Sequence, residues 1–247
     1  MGELIAVLSG KGGTGKTSLC AGISTALAEM GEKVLCIDCD VGLRNLDISL
    51  ALTDFGAMSF VDVYKGSYTL SQAICHDLFP NLSFLTAPVN LLAENVDSQA
   101  FAAMLRQARK EFDYIFLDAP AGLDAGFTLC ATHADRIILV TNPEPSAIRD
   151  AAQTGQKLEL MKKHSVRIIV NRVRKKLLEV TKRTIDDVMD ESGLPLLGVV
   201  PEDESVTLAA AFEVPLLKYT RKGATAACKR IAKRIQGRPE PIDLRQF

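Results

Sequence analysis

Short runs of Val, Ile and Leu alternate with longer stretches of helical period along the whole chain. The apolar runs predict strands at Leu4–Leu8, Lys33–Asp38, Leu82–Ala87, Tyr114–Asp118, Arg136–Thr141, Arg167–Val173 and Leu197–Val200. Between them the 3.6-residue period predicts helices at Lys16–Met30 (closed by Gly31), Ser98–Glu111, Gly122–Thr132, Pro145–Lys163, Lys176–Ser192 and Ala224–Ile235. The strands are nearly continuous in apolar residues, so both faces of each must be covered. The expected fold is therefore α/β: a doubly wound, mostly parallel sheet with helices on both faces. One domain is expected over residues 1–237, followed by a short tail at 238–247 that begins at Gly-Arg-Pro-Glu-Pro.

Composition narrows the possibilities. The 247 residues are 47% hydrophobic, enough for one substantial core. A net charge of −1 provides no long-range field, so any polyanion site must be local. The chain opens directly on a strand pattern without a secretory leader, and no apolar run reaches the roughly eighteen residues that would span a bilayer. A cytoplasmic protein, at most peripheral at the inner face of the membrane, is expected. Cys36 and Cys39 form the one C-x-x-C, but strand alternation sends their side chains to opposite faces, which disfavours zinc or redox chemistry. His76, His133 and His164 have no ligand spacing. The basic clusters at Lys162-Lys163, Arg172 to Lys176 and Lys229 to Arg234 read as solvated faces.

The chemistry sits immediately after the first strand. Gly10-Lys11-Gly12-Gly13-Thr14-Gly15-Lys16-Thr17 satisfies G-x-x-x-x-G-K-[ST] between a strand and a helix, the context that motif requires. Glycines let backbone N–H groups turn inward around phosphate oxygens, and the following helix adds its N-terminal dipole. Lys16 is expected to reach the β- and γ-phosphates of ATP, with the Thr17 hydroxyl on Mg²⁺ and Ser18 completing the nucleotide-binding turn. Tyr114-Ile-Phe-Leu-Asp118, an apolar strand ending in aspartate, supplies the metal-side carboxylate. After it comes Ala119-Pro120-Ala121-Gly122, whose glycine is placed to turn its amide towards a γ-phosphate.

The second lysine in the loop, Lys11, resembles the deviant Walker A motif of the MinD/ParA family of P-loop ATPases. Asp38-Cys-Asp40-Val-Gly-Leu-Arg44-Asn45-Leu-Asp47, Asp118-Ala-Pro-Ala-Gly122 and Val140-Thr-Asn-Pro143-Glu144-Pro-Ser146 are similar to segments of its MinD branch. Val199-Val-Pro201-Glu202-Asp203 is similar to the family's loop beside the base. The likeness runs from residue 3 to about residue 240. It implies ATP and Mg²⁺ as cofactors and an ATP-dependent homodimer in which Lys11 reaches the partner's phosphates. It also implies Asp40 positioning the attacking water, Asp38 near the metal, and adenine held by Asn171, Arg172, Pro201, Glu202 and Asp203. The implied work is placement of cell division or of another structure, with protein partners of the division-site regulator type. A ParA-like partition ATPase and a flagellar-number ATPase are the alternatives. No sequence-specific nucleic acid contact is expected. The family's MinD members end in a separate amphipathic helix, whereas Ala224–Ile235 reads as the last packed helix and only Gly237 to Phe247 follows it. Membrane contact is therefore expected to be weak or absent.

Overall fold

The computed structural model describes residues 1–41, 43–52, 58–89 and 91–242. Gly42 of the Asp38–Asp47 segment, and Leu244 and Phe247 of the tail, lie outside the described residues. The strands are β1 (Glu3–Leu8), β2 (Val34–Asp38), β3 (Ile74–His76), β4 (Phe79–Leu85), β5 (Tyr114–Asp118), β6 (Arg136–Thr141), β7 (Val166–Val173) and β8 (Leu196–Pro201). They form one sheet in the order β3-β4-β2-β5-β1-β6-β7-β8. All neighbours pair parallel except β3 with β4, which close one edge as an antiparallel hairpin.

The helices in chain order are α1 (Lys16–Glu29), α2 (Leu46–Leu50), α3 (Phe60–Tyr64), α4 (Ser98–Glu111), α5 (Ala125–His133), α6 (Pro145–Leu160), α7 (Lys175–Thr181), α8 (Ile185–Ser192), α9 (Ser205–Ala211), α10 (Leu216–Tyr219) and α11 (Ala224–Ile235). Strand alternation divides them into two layers. Leu4, Ala6 and Leu8 of β1 point into a core shared with Phe60, Phe101, Phe127 and Leu158 of α3, α4, α5 and α6. Ile5 and Val7 point the other way, into a core with Leu19 and Ile23 of α1 and Ile231 of α11. Cys36 and Cys39 fall in opposite layers, as strand geometry requires. The buried stripe of α11 (Ala227, Cys228, Ile231, Ile235) packs on α1 and β8. Gly22 permits that approach, since a Cβ there would lie 2.7 Å from Cys228 Sγ.

Four differences from the sequence reading have local causes. The single helix expected over Lys176–Ser192 is two, α7 and α8. Lys182 turns left-handed (φ 53°), and Thr184 then caps α8, its Oγ1 accepting from Asp187 N at 3.1 Å while Asp187 accepts from Thr184 N at 2.7 Å. The helix expected from Gly122 begins at Ala125, because Gly122 is left-handed (φ 93°) and its N–H is bonded to Ser9 O at 3.1 Å. The strand expected at Leu82–Ala87 starts at Phe79 and carries β3 as a partner. His76 braces that edge, its Nε2 2.8 Å from Leu50 O and its Nδ1 accepting from Leu78 N at 3.1 Å. The helix expected to reach Lys163 stops at Leu160, since Lys162 is left-handed (φ 58°).

Beyond α11 the chain folds back. Arg234 donates to Glu240 O at 2.9 Å and Pro241 O at 2.7 Å, and Lys233 pairs with Glu240 at 3.1 Å. Lys229 meets Glu29 of α1. These basic side chains are thus engaged within the protein.

Candidate nucleotide site

β1 lies between β5 and β6 in the middle of the sheet, so the loops leaving β1, β2, β5 and β7 open on one edge. This is where an open parallel sheet offers a crevice. The loop after β1 is held from behind and from the side. A Cβ at Gly10 would lie 2.8 Å from Asp150 O and from Thr154 Oγ1 of α6, so only glycine lets the loop seat there. Gly15 is left-handed (φ 87°), and a Cβ on it would meet Asn171 Nδ2 at 2.3 Å. That same amide donates to Thr14 O at 2.8 Å, tying β7 to the loop. Gly12 and Gly13 face open space.

At the centre lies a buried ion pair. Lys16, 6% exposed, places Nζ 2.7 Å from Asp118 Oδ1 and 3.3 Å from Thr17 Oγ1. Burial works against the Lys16 charge, but the Asp118 carboxylate outweighs it and holds the pKa above its ordinary value. The other carboxylate oxygen of Asp118 is buried and has no hydrogen-bond partner among the described residues, and neither do Ser9 Oγ and Thr14 Oγ1. An orphaned carboxylate oxygen suits a hard divalent cation, and an ammonium at the foot of a glycine-rich loop suits phosphate. The residues present therefore fit Mg²⁺ and a nucleotide.

Asp40 lines the same cup as Gly12, Lys16 and Thr17. Partial burial raises its pKa, with Lys16 opposing and Asp118 adding to the shift. Asp38 is placed differently. Fully buried, it accepts from Asp40 N at 2.9 Å and from Leu46 N at 3.2 Å, so its carboxyl shapes the loop that carries Asp40 and starts α2. Burial, reinforced by Asp118, pushes it up to about 7.

Lys11 is drawn away from the cup. Its Nζ lies 3.2 Å from Glu144 Oε2 and 3.0 Å from Ser146 Oγ, at the start of α6 in its own chain. Asn171, Arg172, Pro201, Glu202 and Asp203 gather with Gly15 and Ser18 around a pocket beside the loop. Arg172 is left-handed (φ 55°), which turns the chain at the pocket wall. Asp203 is also a cap. Burial alone would raise its carboxyl, but N–H groups of Ala224 and Ser205, at 2.8 and 2.9 Å, hold it low.

The sequence reading missed Ser9, Glu144 and Ser146 as parts of this site. Glu144 and Ser146 lie in the Val140–Ser146 segment that resembles the family, but only the fold brings them to Lys11.

A glycine-rich loop between strand and helix, delivering Lys16 and Thr17 to a strand-end Asp118 at the centre of a parallel sheet, defines a P-loop nucleotide-binding protein. The chain belongs to the CobQ/CobB/MinD/ParA nucleotide-binding family, whose domain matches residues 5–216. Over 245 residues it is 35% identical to the septum site-determining protein MinD of Synechocystis sp., covering 98% of this chain and 92% of that one. Its fold superposes with a TM-score of 0.90 on a chain of the MinC:MinD cell division protein complex of Aquifex aeolicus, at 32% identity over 98% of each. It also matches the septum site-determining protein MinD of Pyrococcus horikoshii complexed with Mg-ADP, with a TM-score of 0.81 and 30% identity over 95% of this chain and 96% of that one.

Proposed function

We propose that this chain is an ATP-hydrolysing dimerisation switch of the MinD kind that regulates where a cell places its division site. The observation that carries the reading is the buried Lys16–Asp118 pair, set in the phosphate loop of a chain whose relatives are septum site-determining proteins. An isolated pair of this kind adds little stability, and its two charges are the ones a magnesium nucleotide would engage separately.

Residues 1–237 act as one ATPase domain, with 238–247 as its tail. Lys16 moves from Asp118 to the β- and γ-phosphate oxygens, while Gly10, Lys11, Gly12, Gly13, Thr14, Gly15 and Ser18 surround the phosphates. Thr17 and Asp118 would hold Mg²⁺, with Asp38 assigned near it. Mg²⁺ supplies charge neutralisation across the phosphate oxygens. Asp40 orients the attacking water, and Asn171, Arg172, Pro201, Glu202 and Asp203 receive the adenine. In the ATP-bound homodimer Lys11 leaves Glu144 and enters the partner's site, a second cation for the developing charge.

MinC stands beside MinD in the Aquifex assembly, and a division-site regulator of that type is the partner assigned here. Sequence-specific nucleic acid is not part of this function. No described helix is long and apolar enough to cross a membrane. The protein works in the cytoplasm, peripheral to the inner membrane face, with weak or absent contact of its own. Cosedimentation with anionic liposomes in Mg-ATP tests that last point, and robust binding by this chain alone would refute it.

Lys16→Ala tests the site as a whole. The variant should fold, as read by circular dichroism, yet lose nucleotide binding and phosphate release. Unchanged affinity and turnover in the folded variant would place the active site elsewhere.

A further inference from the structure

Three buried hydroxyls on the helices are satisfied by a carbonyl one turn back. Ser24 donates to Cys20 O at 2.7 Å, Thr25 to Ala21 O at 2.6 Å and Thr154 to Asp150 O at 2.6 Å. Ser9, like Thr14 in the loop, has no such partner. It is 1% exposed, and its Oγ has no hydrogen-bond partner among the described residues. A buried hydroxyl without a partner costs stability, so its retention calls for a ligand that satisfies it.

The position of Ser9 indicates which ligand. It ends β1, ahead of the glycine loop, and its own carbonyl takes the Gly122 N–H, fixing the loop that follows Asp118 alongside it. Ser9 lines the cup together with Asp40 and Ala121. Gly12 to Thr17, leading into the N-terminus of α1, line the same cup. Ser9 shares that cup with Asp40, the carboxylate that the reading above sets at the attacking water and so beside the terminal phosphate.

We propose that Ser9 is a further binding residue: its hydroxyl donates to an oxygen of the terminal phosphoryl group, so that the site distinguishes a nucleoside triphosphate from a diphosphate. This rests on the nucleotide-switch reading above. A hydroxyl can donate one hydrogen bond to a phosphate oxygen, and such charge-assisted bonds are the strong ones.

Calorimetric titration of wild type, Ser9→Ala and Ser9→Thr with Mg-ADP and with a non-hydrolysable Mg-ATP analogue tests it. Ser9→Ala should weaken the triphosphate analogue about tenfold or more, as expected for one charge-assisted hydrogen bond, and leave ADP within about twofold. Ser9→Thr, which keeps the hydroxyl, should recover the preference. The nucleotide-free Ser9→Ala protein should melt no lower than wild type, because it loses an unsatisfied group. Equal losses for both nucleotides, or a lowered melting temperature, would make Ser9 a structural residue. No loss for either would also overturn the proposal while leaving the nucleotide-switch reading intact. Wild type that bound neither nucleotide would overturn both.

Discussion

Taken out of water and set near Asp118, the Asp38 carboxyl titrates at about 7, against about 3.9 in an unfolded chain. Its folded pKa is raised, so between those values the folded protein keeps a proton that the unfolded chain has released. Stability from this group is therefore greatest at low pH, falls as pH rises from about 4 to about 7, and levels off above that. Three pKa units correspond to about 4 kcal/mol at most. Urea denaturation of the nucleotide-free protein in chelator, between pH 5 and pH 8, should show this decline in wild type. Asp38→Asn should flatten it, and parallel profiles for the two proteins would rule out Asp38 as its source. Lys16, Thr17 and Asp118 were legible in the sequence because the chemistry of phosphate and Mg²⁺ dictates their spacing from a strand end. The partners of Lys11 were not, because Glu144 and Ser146 lie more than 130 residues away in sequence. Asp38 was expected near the metal, but its two backbone donors, which the sequence did not reveal, depend on the turn into α2.

At the level of elements, the long strands and helices were readable because burial on both faces imposes apolar runs, and burial on one face imposes a 3.6-residue period. Short elements carry too few residues to show a period. The five-residue helices α2 and α3 and the four-residue α10 went unread for that reason, as did the three-residue β3. Two of the missed boundaries did leave a signal. Ser59 with Asp62, and Thr184 with Asp187, are reciprocal capping boxes with Asp in the place usually held by Glu. The break between α7 and α8 should be separable from the site. Thr184→Ala removes one member of the box and is expected to cost about 1 kcal/mol in a denaturant titration. Nucleotide affinity should not change, since the cap lies outside the residues that line the cup or the pocket beside the loop. A large loss of affinity would mean that the α7–α8 junction is coupled to the nucleotide.

For the whole molecule, the decisive contact is the one Lys11 makes within its own chain. The pair with Glu144 is 3.2 Å long, but the two side chains are 32% and 62% exposed. A surface pair of this kind contributes about 1 kcal/mol or less, so releasing Lys11 towards a second subunit costs little. The Lys16–Asp118 pair, by contrast, is buried, and the proposed function has it answer to the nucleotide of its own subunit. Binding and chemistry should therefore come apart in two variants. Lys11→Ala keeps the cup intact and should still bind ATP as a monomer, but with dimerisation weakened and hydrolysis abolished, because the second cation is missing. Asp40→Ala keeps both lysines and removes the carboxylate proposed to orient water, so it should hold an ATP-bound dimer that does not turn over. Sedimentation velocity with Mg-ATP, set beside phosphate release, distinguishes these outcomes. An Asp40→Ala protein that stays monomeric at saturating ATP, or a Lys11→Ala protein that dimerises and hydrolyses like wild type, would break the link between the cup and the dimer.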